Sequence, residues 1–299
     1  MMYDIKYHVA SLVAVFLAIA LGMFIGSALD GNGSIVQKQE TIVQSLKADF
    51  DKLSLENKNL QTNNKELKKA ETRTQQFGSR ILPALVSNKL KGKKIMLVDC
   101  GGTTGNQQVS STLVLAGATI VKEIVFTDKF AVAALSVTKN SSSASALQSA
   151  DRDSQLSDLS AKLVDECFNG TQSDTAKKLI EKEALAMQVT DSAALPDVVV
   201  VIGGYPTAVQ AMTDFIDRPI IRSLAAAGHR VVGVETSDVG YSSTAEYKKL
   251  GISTVDNVDA PYGQISLVYV VAGWEGHYGE KPEADKLMPE KITPGVLVN

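Results

Sequence analysis

VASLVAVFLAIALGMFIGSAL, residues 9–29, is an unbroken apolar run close to the N-terminus. At about 1.5 Å per residue, a helix of about 21 residues crosses the roughly 30 Å hydrocarbon core of a bilayer. A cleaved signal peptide has a shorter apolar core of about 7–15 residues, followed by small residues such as Gly26 and Ala28. The length of the run therefore favours a retained membrane anchor, and we assign residues 1–30 to it.

Small residues recur at every fourth position of the run. They form one stripe along the predicted helix: Ala10, Ala14, Ala18, Gly22 and Gly26. A stripe of this kind lets two membrane helices approach closely, so it predicts self-association of the anchor. The alternative is that alanine and glycine are simply common in membrane helices.

The charges beside the run predict its orientation. Lys6 and His8 precede it, whereas Asp30 follows it and the next basic residue is Lys38. Basic residues favour the cytoplasmic side of a membrane. We therefore expect a single-pass protein of the cytoplasmic membrane, with its N-terminus inside and its remaining residues outside.

A heptad repeat follows the glycine-rich residues 31–33. Position a is taken by Val36, Val43, Phe50, Asn57 and Asn64, and position d by Gln39, Leu46, Leu53, Leu60 and Leu67. Four to five such heptads are typical of a coiled coil. Asparagine at two successive a positions favours a parallel, in-register homodimer, although it also fits a fraying end of a surface helix. The predicted stalk covers residues 31–78, with Gly78 and Pro83 as helix breakers.

The remaining residues, 79–299, alternate short β-branched runs with helical stretches. Predicted strands cover 95–99, 119–126, 197–202, 230–235 and 252–255, and predicted helices cover 107–116, 155–168, 174–187, 216–227, 244–250 and 264–272. Apolar strands without alternation are typical of parallel sheets that are covered on both faces. The sequence therefore predicts an α/β body with a doubly wound, parallel, Rossmann-like sheet, and an exposed serine-rich loop at 140–149.

The loops after the strands are the candidate ligand sites of such a sheet. They are residues 99–105, 203–206 and 235–238, and the first lacks both the GxGxxG and the GK[ST] pattern of phosphate-binding loops. Asp99, Glu235 and Asp238 could converge as carboxylates, but acids at strand ends also serve as caps and turn residues. We assign no catalytic residue and no cofactor, and we expect a protein that is not an enzyme.

Cysteine and histidine are scarce. Cys100 and Cys167 could form one disulfide or remain as two buried thiols. His8, His229 and His277 are scattered in sequence, and the methionines show no MxxM or MxM spacing of the kind that would bind Cu(I). We therefore assign no metal site.

The net charge of -3 gives no basic excess that would indicate a nucleic-acid partner. Four lysines nevertheless cluster at residues 89–94, before the first predicted strand. Such a cluster is typical of a solvated edge. The alternative is contact with phosphate or an acidic polymer.

Three segments carry a family resemblance. Residues 7–27, YHVASLVAVFLAIALGMFIGS, and the C-terminal STVDNVD (253–259) and GHYG (276–279) resemble the MctB family of mycobacterial-type copper transport proteins. The order of anchor, coiled coil and α/β body matches too, so the resemblance covers nearly the whole chain. It implies a role in copper homeostasis in the envelope. Some SteB-like relatives are instead linked to cell division and septal wall remodelling, through a SteA-like partner.

A dimeric stalk that holds a body away from the membrane suits an adaptor better than a conduit. We therefore expect a non-enzymatic, single-pass, dimeric envelope scaffold of the copper transport type. Two alternatives stay open. One is a SteB-like regulator of division, and the other is a module that binds a small ligand at the strand-end crevice.

Overall fold

A computed structural model of the chain describes residues 5–29, 32–101, 105–137, 149–206 and 213–292. It divides into two compact units, Met1–Thr72 and Arg73–Asn299. In the first unit, helix α1 (Ile5–Leu29) covers the apolar run and confirms the predicted N-terminal helix. Of the described helices, α1 alone is long and apolar enough to cross a membrane, a property that an anchor and a signal sequence share.

Helix α2 (Asn32–Val86) contains the whole heptad region. It is already helical at Asn32, whereas Asp30 and Gly31 lie outside the described residues. The prediction that Gly78 and Pro83 end this helix is wrong.

The two predicted breakers are tolerated for different reasons. Gly78 lies against another helix, since a Cβ there would be 2.6 Å from the Pro261 Cβ. Pro83 lies in the last turn, where its carbonyl accepts bonds from the Ser87 N–H (3.0 Å) and Oγ (2.5 Å). A proline costs most in a helix interior, so its place near the end limits the penalty.

A seven-stranded sheet organises the second unit. Its strands are β1 (Lys94–Asp99), β2 (Thr119–Phe126), β3 (Leu185–Val189), β4 (Val198–Ile202), β5 (Arg230–Val234), β6 (Ser253–Val255) and β7 (His277–Tyr278). The spatial order is β3-β2-β1-β4-β5-β6-β7. Every neighbouring pair is parallel except β2 and β3, which are antiparallel. The α/β class is confirmed, but the sheet is mixed rather than wholly parallel.

Helices cover both faces of this sheet. They are α3 (Gly105–Leu115), α4 (Phe130–Val137), α5 (Ser149–Phe168), α6 (Asp174–Glu181), α7 (Arg218–Ala226), α8 (Thr244–Lys249) and α9 (Pro261–Ala272), with a π-helical turn at Thr213–Asp217. One core packs Met96 and Val98 of β1 against α5 and α7. The other packs Leu97 against α3, α9 and the end of α2. Alternate residues of β1 therefore enter opposite cores, as in any strand buried on both faces.

The mixed sheet arises where the predicted helix 174–187 stops early. Helix α6 ends at Glu181, and Glu183 adopts a positive φ of 56° that no helix continues. The chain then pairs Phe126 with Leu185 as β3 begins. Helix α4 and strand β7 were not predicted, and all of the predicted loop 140–149 lies outside the described residues except Ser149, where α5 begins.

Candidate functional site

The carboxyl end of β4, part of the crevice predicted to bind a ligand, is filled by a side chain of the protein itself. Tyr247 of α8 is fully buried there. A Cβ on Gly203 would collide with its hydroxyl, and a Cβ on Gly233 would collide with its ring. The two glycines therefore make room for Tyr247, which packs beside the end of β4 and against β5.

Asp217, at the end of the π-helical turn, anchors this tyrosine. The Asp217 carboxylate accepts hydrogen bonds from the Tyr205 hydroxyl and from the Tyr247 hydroxyl, the latter at 2.6 Å. Complete burial raises the pKa of Asp217 to about 6, although both tyrosine hydrogen bonds oppose that rise. A carboxyl group thus ties together the loop after β4, the start of α7, and α8.

Cys100, directly after β1, belongs to the same buried cluster. Burial raises its thiol pKa well above the usual value, and the negative charges of Asp217 and Asp99 raise it further. The group is therefore a protonated thiol at neutral pH rather than a nucleophilic thiolate. The buried cluster around Asp217 is therefore a hydrogen-bonded structural network.

Glu235, at the end of β5, forms a second buried polar cluster. Its carboxylate accepts bonds from Lys281 Nζ at 2.5 Å, Ser242 Oγ at 2.5 Å and the Ser243 N–H at 2.8 Å. Burial raises the pKa of Glu235, and the charge of Lys281 opposes that rise. This ion pair joins the end of β5 to the segment after β7.

The three predicted carboxylates form hydrogen bonds with different groups. Asp99 accepts a bond from the Gly101 N–H at 3.1 Å, and Asp238 accepts one from the Thr236 hydroxyl at 2.7 Å. Both bonds span two residues, as in ordinary turns. Glu235 is paired with Lys281 instead. Asp217 and Tyr247 were missed because neither lies in a predicted strand-end loop.

The acids of the C-terminal motif at residues 253–259 form hydrogen bonds to neighbouring loops. Asp256 accepts bonds from the N–H groups of residues 280 and 281, each at 2.9 Å. Asp259 accepts bonds from the N–H and Oγ of Ser237, at 2.8 and 2.5 Å. Gly279 has a φ of 145°, and a Cβ there would collide with the Asp256 carboxylate. The acids and the glycine of this motif therefore have a structural role at the ends of β5, β6 and β7.

The two cysteines are free and buried. Cys167 Sγ donates to the Glu123 carbonyl at 3.7 Å, and burial raises its pKa to about 12. Of the two alternatives from the sequence, the structure has the pair of buried thiols.

Two of the three histidines, although scattered in sequence, line one cleft. His229 and His277 lie at the amino ends of β5 and β7, around a cavity of about 480 Å³. His8 lies in α1. Within the described ranges, no group of three or more histidine, cysteine, aspartate or glutamate side chains could hold a metal ion.

The predicted dimer residues lie on exposed helices. Around Gly22 and Gly26 of α1 there is open space. The apolar heptad side chains of α2 that the structure describes are between 63% and 71% exposed: Val43, Leu46, Phe50, Leu53, Leu60 and Leu67. Asn57 accepts a bond from Gln61 of the same helix at 2.8 Å. The Val36 side chain lies outside the described residues, and pairing of two chains stays a prediction.

Comparison with known proteins adds one finding. The family model described as "Copper transport outer membrane protein, MctB" matches residues 2–289, which includes α1, α2 and all seven strands. No curated protein matches the chain.

Proposed function

This chain belongs to the MctB family, and we propose that it is a copper-transport-related membrane protein that acts as a dimeric scaffold in the cell envelope. The apolar helix α1 anchors it in the cytoplasmic membrane with the N-terminus inside. The α/β body lies outside and is held by a coiled-coil stalk formed by two copies of α2. Copper is the cargo of the assembly, and the chain contributes by positioning partners.

The exposed heptad stripe of α2 is the observation that carries this proposal. Leu46, Leu53, Leu60 and Leu67 repeat every seven residues, and each is about two-thirds exposed. Burial of one leucine stabilises a structure by about 1.5–3 kcal/mol, so an uncovered row of leucines is costly in water. The same row on a second copy covers it, which is the basis of a coiled coil.

Two further features favour a parallel arrangement. Both copies would insert α1 into the same membrane from the same side, which makes their α2 helices start together. Asn57 and Asn64, at position a, would each meet their own counterpart only when the two helices are parallel and in register. The small-residue stripe of α1, which ends at Gly22 and Gly26, would extend the pairing into the membrane.

The carboxyl end of β4 argues against the alternative of a small-ligand module at that place. Tyr247 fills the space beside Gly203 and Gly233, and its hydroxyl is bound to Asp217. A ligand would have to displace a fully buried tyrosine. The scaffold is therefore the function that the geometry supports best.

Disulfide crosslinking of the detergent-solubilised full chain tests the dimer. Leu53→Cys places a thiol at position d, and Leu55→Cys places one at position f, two residues away on the same helix. Both leucines are similarly exposed, at 64% and 60%, so they form a matched pair. We expect mild oxidation to give a covalent dimer from Leu53→Cys and little or none from Leu55→Cys. Equal crosslinking of the two variants, or none at either, would contradict the parallel coiled coil.

A second experiment links the dimer to copper. Cells that express Leu46→Gln, Leu53→Gln and Leu60→Gln together should lose the dimer, and we expect both these cells and cells without the protein to accumulate more copper than cells with the unmodified protein. The matched control exchanges three outward-facing residues, Lys58, Thr62 and Lys69, for glutamine. If the leucine variant is monomeric and copper content stays normal, the scaffold does not act through its stalk.

A further inference from the structure

We propose that the amino-terminal edge of the sheet binds a flexible anionic polymer, one that carries repeated phosphate or carboxylate groups. This site goes beyond the scaffold function and does not depend on it. Two separate features of the same edge point to it. One is an exposed lysine turn before β1, and the other is the histidine-lined cleft at β5, β6 and β7.

The lysine turn presents three exposed ammonium groups. Lys91 and Lys93 lie between α2 and β1, Lys94 is the first residue of β1, and all three are exposed. None has a carboxylate within ion-pair distance in the part of the chain that the structure describes. Asp197 accepts a bond from the backbone N–H of Lys94, at 2.7 Å, rather than from its side chain. A chain with a net charge of -3 thus concentrates positive charge at this turn.

The cleft supplies a concave, polar wall of about 480 Å³. Arg230 is held in place there because its Nη2 donates to the carbonyls of Val270 and Trp274, each at 3.0 Å. Burial lowers the pKa of His277, and its Nδ1 forms a hydrogen bond with the Thr254 hydroxyl at 3.0 Å. Glu275 is the carboxylate that lines the cleft.

The strand order brings the turn and the cleft together. Ile95 of β1 pairs with Val198 of β4, and Val198 pairs with Arg230 of β5. Neighbouring strands are about 4.8 Å apart, so the start of β1 lies about 10 Å from Arg230. A polymer with a charge on every unit could contact both the lysine turn and the cleft across that distance. A concave polar cleft suits such a chain better than a flat membrane surface, which would require exposed apolar side chains for insertion.

The test measures binding of end-labelled, long-chain inorganic polyphosphate to the full chain. The protein is reconstituted in nanodiscs of phosphatidylcholine, and affinity is measured over a series of salt concentrations. We expect affinity to fall as salt rises. The triple variant Lys91→Gln, Lys93→Gln, Lys94→Gln should bind about tenfold or more weakly, and its log–log salt slope should be smaller by about three.

Two matched controls separate a site from a general charge effect. Lys58→Gln, Lys65→Gln and Lys69→Gln remove the same charge from the exposed surface of α2 and should leave affinity unchanged. Glu275→Gln should strengthen binding by about twofold or more, because a negative charge leaves the cleft, whereas Glu66→Gln on α2 should not. Equal weakening by both lysine triples, or no effect of Glu275→Gln, would overturn the proposal.

A further arm distinguishes a polymer from a lipid headgroup as the source of the anion. The protein in nanodiscs that contain phosphatidylglycerol should bind polyphosphate as tightly as it does in nanodiscs of phosphatidylcholine. Any weakening by general repulsion from the anionic lipid should be equal for the unmodified protein and the lysine triple variant. If anionic lipid suppresses polyphosphate binding by the unmodified protein alone, the basic edge binds the membrane and the proposal is wrong.

Discussion

The burial of Asp217 disfavours the ionised form of its carboxyl group. It is fully buried, and the hydroxyls of Tyr205 and Tyr247 donate hydrogen bonds to it but carry no positive charge. Its pKa is about 6 in the folded chain, against an ordinary value of 3.8. The folded chain therefore binds the Asp217 proton more tightly than the unfolded chain does.

This difference predicts a pH dependence of stability. The contribution of a carboxyl with a raised pKa is complete below about pH 3.8 and is lost as the pH rises through about 6. Asp217→Asn should abolish that loss, so the decrease in the free energy of unfolding between pH 4 and pH 7 should shrink by about 2 kcal/mol. Urea unfolding of the detergent-solubilised full chain, followed by the fluorescence of its one tryptophan, Trp274, measures it.

Asp158→Asn, at an exposed position of α5, is the control for Asp217→Asn. It should leave the pH dependence as it is in the unmodified protein. Glu235 also has a raised pKa, but it is present in every variant and cancels in the comparison. An unchanged pH dependence in Asp217→Asn would mean that the tyrosine hydrogen bonds keep the carboxylate ionised at low pH.

At the scale of elements, the contact between α2 and α9 depends on the absence of one methyl group. Gly78 faces the Pro261 ring so closely that a Cβ would lie 2.6 Å from Cβ and 2.7 Å from Cγ of the proline. Leu82 and Val86, in the next turns of α2, are buried in the core on that face of the sheet. Glycine is therefore required by packing at a position where helix propensity disfavours it.

Gly78→Ala sets these two effects against each other. Alanine is favoured over glycine within a helix by about 1 kcal/mol, whereas overpacking against a rigid proline costs about 1–3 kcal/mol. We expect packing to dominate, so the variant should be less stable in urea unfolding. Ser79→Ala, exposed on the neighbouring position, should be slightly more stable than the unmodified protein. A more stable Gly78→Ala would show that α9 moves away without cost.

Sequence pattern predicts the central strands well. The observed β1, β2 and β4 agree with the predicted ranges within one residue, because β-branched runs buried on both faces have no helical periodicity. Strand β3 was missed because LAMQV follows directly on an amphipathic helix. What makes it a strand is its pairing with β2, which is distant in sequence. The mixed sheet is thus a tertiary effect that local propensity does not contain.

The buried cluster was harder to predict than the strands. Asp217 falls within a predicted helix, 216–227, and nothing in its local sequence marks it as buried. Pro219, near the start of α7, is a signal for a helix N-terminus and could have placed Asp217 at the cap position. The loop at 203–206 was identified correctly as a strand-end loop, but its glycines serve Tyr247 rather than a ligand.

At the scale of the whole molecule, the sidedness of the chain is open to a direct measurement. Cys100 and Cys167 are buried, so neither should react with a membrane-impermeant maleimide on spheroplasts. A new thiol at Thr62→Cys should react on intact spheroplasts, whereas Tyr3→Cys should react only after lysis. The reverse pattern would place the body inside. A mature chain that begins near residue 28, seen by mass spectrometry, would show that the apolar run is removed.

The fit of Tyr247 between Gly203 and Gly233 has a consequence for how sequences like this one change over time. A larger residue at either glycine collides with Tyr247, and a smaller residue at 247 leaves a void and leaves Asp217 with one tyrosine hydrogen bond instead of two. Any single exchange therefore passes through a less stable protein. We therefore expect residues 203, 233 and 247 to be kept together or replaced together in related sequences.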